Sequence, residues 1–400
     1  MQVGIVGKPN VGKSTFFNAA TLGKAEVANY PFTTIDANKA LAFIKVPEPA
    51  MEFRLEANPR NSKSYGGYRF VPVEAIDVAG LVPGAHQGRG LGNKFLDDLR
   101  QANVFIHVVD ASGSTDTEGK PVKPGRHDPC EDIKFLEREI ELWFFNIFKR
   151  NWDKTARKIQ MQGRDFFKYF TETFSGLGVR EKDVHRVINE VDVDPEKPAG
   201  WSDEGLLRFT KALRKNTIPM VIAANKVDID NAEENIERMK KEFPELKIVP
   251  TSSMAELFLK NLSQEGIVEY IPGDSSFKVL RQEKLNSKYQ KALEIIEETV
   301  FKLHSSTGVQ EALNIAVLDV LDKIVVFPVE DETRLSDKKG NVLPDAILLG
   351  KGSTPRDLAY KIHTDIGRNF IAAINPRTKM KISSDKELEH LDIVKVIANA

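Results

Sequence analysis

Four hundred residues exceed what one small core usually holds, so two or three domains are expected. Lys and Arg number 57 against 58 Asp and Glu, a formal net charge of -1, which excludes a globally basic protein but leaves local basic patches open. With 41% hydrophobic residues there is material for a real interior, and a single cysteine, Cys130, excludes a disulfide framework or a cysteine-built zinc site within the chain.

The opening MQVGIVGKPN lacks the basic start of a signal peptide, and no apolar run reaches membrane-spanning length, so a cytoplasmic protein with no membrane partner is expected. Gln2 to Val6 is a short apolar strand. It runs into Gly7-Lys8-Pro9-Asn10-Val11-Gly12-Lys13-Ser14-Thr15, and the following FFNAA is helix-compatible. G-x-x-x-x-G-K-S between a strand and a helix is a phosphate loop. Its glycines let backbone N–H groups turn to the phosphates, and the helix N-terminus adds partial positive charge. Lys13 is expected at the β- and γ-phosphates and the Ser14 hydroxyl on Mg²⁺. A glycine-rich turn that binds nothing is the bland alternative, and the complete motif with its flanks outweighs it.

Asn29 to Ile35 (NYPFTTI) reads as a loop, and Arg69 to Ile76 as a strand ending at Asp77-Val78-Ala79-Gly80. An acid at a strand end opposite the phosphate loop can hold Mg²⁺ through water, and the Gly80 amide can approach the γ-phosphate. D-x-x-G is weak alone and strong after a phosphate loop and a strand. Glycines at 80, 84, 88, 90 and 92 suit a loop that orders with the nucleotide state.

The strand Val104 to Val109 ends at Asp110, and the next one of the nucleotide domain begins near Pro219, a gap too long for a loop. Ser112 to Pro129 looks like a linker. Ile133, Leu136, Ile140, Trp143 and Ile147 then recur at helical spacing, widened by Phe144 and Phe148, and Phe166, Phe167, Phe170 and Phe174 form a second stripe. A helical hairpin or small bundle accounts for both, as core rather than cofactor contacts. Between them the basic run Lys149 to Lys158 encloses Trp152. A solvated helix face is its commoner explanation, and contact with RNA phosphates the alternative.

Pro219 to Ala224 is a buried-strand run ending in Asn225-Lys226-Val227-Asp228. The Asp228 carboxylate can accept from N1–H and the exocyclic amine of guanine, which adenine cannot supply. The Lys226 stem would cover one face of the base. Lys247 to Pro250 leads to Thr251-Ser252-Ser253-Met254, where a backbone amide could bond the guanine oxygen, although the commoner Ser-Ala pair is absent. Helical patterns follow from Lys284 to His304 and from Gly308 to Leu321.

From about Lys323 the texture changes. Strands are expected at Ile324 to Val329, Ala346 to Leu349, Phe370 to Ile374, Lys379 to Ile382 and Ile393 to Ile397, with one helix capped by Thr354 and running to Ile366. This order fits a β-grasp.

With these motifs in place, the chain resembles the Obg-like branch of translation-factor GTPases, in the archaeal and eukaryotic subgroup related to YchF proteins. The resemblance covers the nucleotide domain and the C-terminal tail well and the middle more weakly. It implies an α/β fold, a P-loop NTPase (Ras-like G domain), with a helical insertion and a C-terminal β-grasp (TGS, ubiquitin-like) domain. The expected plan is residues 1–110 and 216–322 for GTP binding, 111–215 for the insertion and 323–400 for the TGS domain. In this family Asn29 to Ile35 looks like the first switch, with Thr34, or alternatively Thr33, closing on Mg²⁺.

Leu81 stands where Ras-like enzymes carry a water-orienting glutamine, so slow turnover is implied, with Gln87, His86, a partner residue or a monovalent cation as candidates for placing the water. Asn10 resembles the pattern of potassium-stimulated GTPases, and simple fit to the loop is the alternative to a K⁺ ligand. YchF proteins lack the lysine-aspartate base motif and use ATP, so Asn225-Lys226-Val227-Asp228 points back to GTP. Gly352 to Gly367 looks like a TGS domain, a module generally ribosome- or RNA-facing, with Lys361, His363 and Arg368 as candidate contacts and inert packing as the alternative. The expected protein is a monomeric GTP/GDP switch that hydrolyses GTP with Mg²⁺. A nonhydrolytic sensor and an RNA-binding scaffold are the rivals.

Overall fold

The computed structural model describes residues 1–21, 38–78 and 100–399. Thr33, Thr34, Gly80, Leu81, His86 and Gln87 lie outside the described residues. The chain forms two compact units. The first comprises Met1–Ala19, Ala75–Tyr270 and Asp274–Ala312, and the second Ala20–Glu74, Ile271–Gly273 and Leu313–Ala400.

The first unit is built on a parallel sheet. Strand β1 (Gln2–Val6) pairs with β5 (Val104–Asp110), β5 with β6 (Met220–Asn225), and β6 with β7 (Lys247–Thr251), all parallel. Every residue of β5 and β6 is buried. Their near-continuous apolar runs, VFIHVVD and MVIAAN, are what a sheet covered on both faces requires. The strand ends face one way, so the loops after β1, β5, β6 and β7 gather at one edge. Helix α1 (Lys13–Ala20) follows β1 directly.

Between β5 and β6 the helical insertion folds onto the same core. Helix α2 (Pro129–Gln162) is capped by Asp128, whose side chain accepts from the Cys130 N–H, and it ends at Gly163 in the left-handed region. Helices α3 (Phe166–Phe174) and α5 (Asp203–Thr217) pack against it, and α4 (Glu181–Glu190) packs on those two. The aromatic stripes meet as expected: Phe148 lies 4.2 Å from Phe174 and 5.4 Å from Phe170, ring centre to ring centre. Trp152 joins this interior rather than the surface. Helices α6 (Ala232–Glu242) and α7 (Ser253–Gln264) follow β6 and β7, and β8 (Val268–Glu269) then pairs antiparallel with β9 (Lys278–Val279).

In the second unit, β3 (Lys63–Tyr65) pairs antiparallel with β4 (Tyr68–Asp77), whose other neighbour there is β2 (Lys39–Pro47). A five-stranded sheet in the order β11-β10-β14-β12-β13 is made from Ile347–Gly350, Lys323–Val329, Ile393–Ala398, Phe370–Asn375 and Met380–Ile382. The central pair, β10 and β14, is parallel and the others are antiparallel, which is the β-grasp arrangement. Its helix α8 (Pro355–Ile362) opens with a capping box between Thr354 and Asp357. Instead of running to Ile366, that helix stops at His363, whose extended backbone and ring nitrogen cap a separate short helix, Thr364–Arg368. The second turn brings Gly367 against Tyr360, where a Cβ would lie 2.3 Å from the ring.

Candidate nucleotide site

The loops at the sheet edge converge on Asn225. Its side-chain amide donates to the Val11 carbonyl at 2.9 Å, and its oxygen accepts from the Ser253 N–H at 2.9 Å and the Ser253 hydroxyl at 2.8 Å. One 3%-exposed side chain thus ties the phosphate loop to the loop after β7. Gly12, at φ 96°, lies so close that a Cβ there would sit 2.2 Å from the Asn225 amide nitrogen. Only glycine serves at that point. Gly7 is similarly pressed onto β5, with 2.6 Å between its would-be Cβ and the Val108 carbonyl.

Helix α1 begins at Lys13, with the Phe16 N–H donating to the Gly12 carbonyl, so Ser14 and Thr15 stand in its first turn. The Lys13 ammonium pairs with the Asp77 carboxylate at the end of β4. The two charges that the motifs assign to phosphate and metal are therefore brought together. A Ser hydroxyl and an Asp carboxylate are hard oxygen donors, which fit Mg²⁺, an ion that completes its shell with water and phosphate oxygens.

The flanking phosphate-loop side chains turn elsewhere. The Lys8 ammonium is buried, donates to the Thr115 carbonyl at 3.1 Å and pairs with Asp132 of α2 at 2.8 Å. Asn10, at φ 62°, donates through its amide nitrogen to the Gly119 carbonyl at 2.8 Å. Gly119 itself would place a Cβ 2.6 Å from the Pro9 carbonyl. The stretch read as a linker after β5 is thus a folded buttress of the phosphate loop. Beneath it, burial pushes the His107 imidazole down to about 4, with Asp132 opposing and Lys8 adding to the shift.

On the base side, Lys226 adopts φ 67° and its ammonium reaches the Asp110 carboxylate at 2.8 Å. Burial would raise the Asp110 carboxyl, but bonds from Lys226, Ser112 and Ser114 hold it below its ordinary value. Asp228 accepts from the Ser252 hydroxyl at 2.8 Å. The Ser252 N–H donates to Thr307 and the Ser253 N–H to Asn225. Met254, the second residue of α7, has no carbonyl four residues back within the helix.

A chain with this site has clear relatives. A GTP-binding protein of Methanocaldococcus jannaschii is 52% identical over 398 residues, covering 100% of this chain and 99% of its own. The model for the Obg-like GTPase YGR210-like G4 motif-containing domain matches residues 223–331 of this chain. This chain belongs to the Obg-like GTPases. The model for a 50S ribosome-binding GTPase matches residues 2–138 of the Obg-like chain, and the TGS domain matches 339–398. A crystal structure of a GTP-binding protein from Pyrococcus horikoshii OT3, 41% identical and covering 100% of both chains, superposes with a TM-score of 0.80. Human Obg-like ATPase 1 is 30% identical over 284 residues, 68% of this chain and 66% of its own. The ribosome-binding ATPase YchF of Bacillus subtilis is 37% identical over 168 residues, 41% of this Obg-like chain and 42% of its own.

Among the described residues of this Obg-like protein, the sequence motifs single out Lys13, Ser14, Asp77, Asn225, Lys226, Asp228 and the 252–254 loop, and the structure brings them to one edge of the sheet. The motifs missed Asp110, the carboxylate under Lys226, and Thr307, whose carbonyl holds the Ser252 amide. A lone acid at the end of a strand was the one signal for Asp110, and Thr307 carried none.

Proposed function

We propose that this chain binds GTP with Mg²⁺ and hydrolyses it slowly, as a switch that works with the ribosome or its RNA. The observation that carries the guanine reading is the Asp228 carboxylate, which accepts from the Ser252 hydroxyl at 2.8 Å. An acceptor-only group so held matches the paired N–H donors of guanine and mismatches adenine. Asp110 pairs with Lys226, whose stem would cover the base, and the Met254 amide, in the first turn of its helix, would meet the base oxygen.

At the phosphate end, backbone N–H groups of the Gly7–Thr15 loop, Pro9 aside, would cradle the phosphates, and Lys13 would neutralise charge that builds on the γ-phosphate oxygens as water attacks. Ser14, Asp77 and Thr34 would hold Mg²⁺, which supplies further charge neutralisation when bound. The Gly80 amide would report the γ-phosphate. Leu81 offers no side chain to orient water, so turnover unaided is slow. The ribosomal assignment draws support from the TGS match and from the name of the Bacillus subtilis relative, a ribosome-binding ATPase.

The names of two partial relatives, Obg-like ATPase 1 and ribosome-binding ATPase YchF, favour ATP as the competing nucleotide. Titrating labelled GTP, GDP and ATP with Mg²⁺ into the purified protein, then following phosphate release, separates the two. The expected result is guanine preference with slow release of phosphate. Equal or tighter binding of ATP overturns the guanine reading, and absence of multiple-turnover release leaves a sensor rather than an enzyme.

A further inference from the structure

Lys8 is the second residue of the phosphate loop, yet its ammonium is committed to the helical insertion. It lies 2.8 Å from each carboxylate oxygen of Asp132, in the first turn of α2, and donates to the Thr115 carbonyl at 3.1 Å. The two charged side chains are 6% and 7% exposed. His127 approaches the same carboxylate through Nε2 at 2.8 Å. The Thr115 hydroxyl donates to Asp110 at 3.0 Å, and Asp110 also takes Lys226 of the base motif. One polar chain therefore runs from the base motif through Asp110, Thr115 and Lys8 to the first turn of the insertion.

The phosphate loop needs such ties. Asn10, at φ 62°, and Gly12, at φ 96°, both lie in the left-handed region, which a residue with a side chain keeps only where its surroundings impose it. Asn225 of β6 holds the loop at the Val11 carbonyl. From the insertion side, the Gly119 carbonyl takes the Asn10 amide and Asp132 takes Lys8. A buried ion pair gains little over apolar packing once both ions have been desolvated, so stability alone is a weak reason for this one. What it supplies is direction: a buried carboxylate bonded to Lys8 fixes where that side chain, and the peptide carrying it, can lie.

We propose that Asp132 of the helical insertion is a positioning residue of the nucleotide site, holding the phosphate loop in its binding shape through Lys8. The inference rests on the nucleotide reading above and adds a coupling to it. A phosphate bound to the loop and an ordered first turn of α2 favour each other, by the same factor in both directions. Because Lys8 belongs to the phosphate loop, the effect is blind to the base, unlike that of Asp228.

The test uses the full chain with Lys8→Met and Asp132→Leu combined, which removes both buried charges instead of stranding one. Titration with fluorescent GTP, GDP and ATP in Mg²⁺ is expected to show every dissociation constant raised about tenfold, with one site per chain retained. Asp132→Asn keeps an oxygen to accept from Lys8 and is expected to fall between this variant and the parent. In the parent, saturating nucleotide is expected to slow hydrogen exchange at the amides of residues 130–136 as well as at the phosphate loop. In the double variant, at matched saturation, the slowing is expected at the phosphate loop and not at 130–136.

Dissociation constants within about twofold of the parent's overturn the proposal. So does a smaller number of sites with unchanged affinity at each, which marks a pair that serves only to fold the chain. Exchange at 130–136 that slows equally in the variant removes the coupling. A parent that binds ATP as tightly as GTP sinks the guanine reading and leaves Asp132 in its role, because the titration reads whichever nucleotide binds. A parent that binds neither sinks both.

Discussion

Asn225 and Asp228 sit three residues apart, but Asn225 braces the phosphate loop whereas the proposed function gives Asp228 the base, so their substitutions are expected to separate. Asp228→Asn turns an acceptor into a donor facing the guanine amine, and GTP affinity is expected to fall by about a hundredfold or more with ATP affinity unmoved. Asn225→Ala removes the side chain that binds Val11 to Ser253, loosening the phosphate loop itself. GTP and ATP affinity are then expected to fall together, and equilibrium titration of both nucleotides against both variants reads the difference. His107 supplies a pH signature in the same region. Held near 4 from an ordinary 6.5, it stays neutral in the folded chain while the unfolded chain takes up a proton below about 6.5. Its contribution is fully present above that pH and is lost as pH falls toward 4, by up to about 3 kcal/mol. His107→Gln is expected to flatten that part of the stability profile relative to the parent, as urea midpoints across the window report. Asp228 was legible in the sequence because its motif is four consecutive positions. Asp110 and His107 were not, since the cation paired with one is Lys226 and the charges facing the other are Lys8 and Asp132, all distant in sequence.

Elements were legible where a periodic pattern and a cap agree. The buried runs of β5 and β6, the two aromatic stripes of the insertion and the Thr354 capping box all came from local chemistry. Two features did not. The sequence reads Pro355 to Ile366 as one helix because nothing in its propensities demands a break at His363. The break follows from packing, as Gly367 closes on the Tyr360 ring. Likewise Gly308 reads as an ordinary helix-flanking glycine. In the fold it has φ 74° and lies against Pro250, where a Cβ would stand 1.8 Å from the carbonyl oxygen. The segment next to it supplies the Thr307 carbonyl to the Ser252 amide, while the Thr307 hydroxyl bonds the buried Glu256, which also accepts from the Tyr270 hydroxyl at 2.7 Å. Gly308→Ala therefore has to push the Thr307 prop off the base-recognition loop. A loss of about 2 kcal/mol or more in stability is expected from backbone strain alone. Guanine affinity is expected to fall beyond what Ser252→Ala produces by removing one hydroxyl. If Gly308→Ala leaves nucleotide affinity intact, the prop is not what positions the loop.

At the scale of the molecule, the C-terminal sheet is joined to early sequence in one compact unit. Arg69 of β4 has a fully buried side chain. Its guanidinium makes a two-pronged bond to Glu48, at 2.7 and 3.1 Å, and donates to the Ser62 hydroxyl and to the Leu343 carbonyl at 3.0 Å. The Phe327 ring lies 5.2 Å from it. Around this centre, Arg60 pairs with Asp345 and Asp337, Arg377 pairs with Glu52, and Asn61 exchanges bonds with the backbone of Ala346. A charge buried this deeply is tolerated only while its partners are complete. The composition shift near Lys323 invites the view that everything beyond it is a detachable module. Removing 323–400 would strip the Leu343 carbonyl and Phe327 from Arg69 and uncover β4, the strand that delivers Asp77 to the phosphate loop. A chain ending at Asp322 is therefore expected to be unstable, and to bind GTP weakly even though every nucleotide motif is retained. Arg69→Met in the full chain tests the same centre with one change. It leaves Glu48 buried without its cation, and a loss of about 3–5 kcal/mol is expected, with faster hydrogen exchange at the amides of both β4 and β10. Faster exchange in β4 alone would mean that Arg69 braces its own hairpin and that the C-terminal sheet stands independently of it.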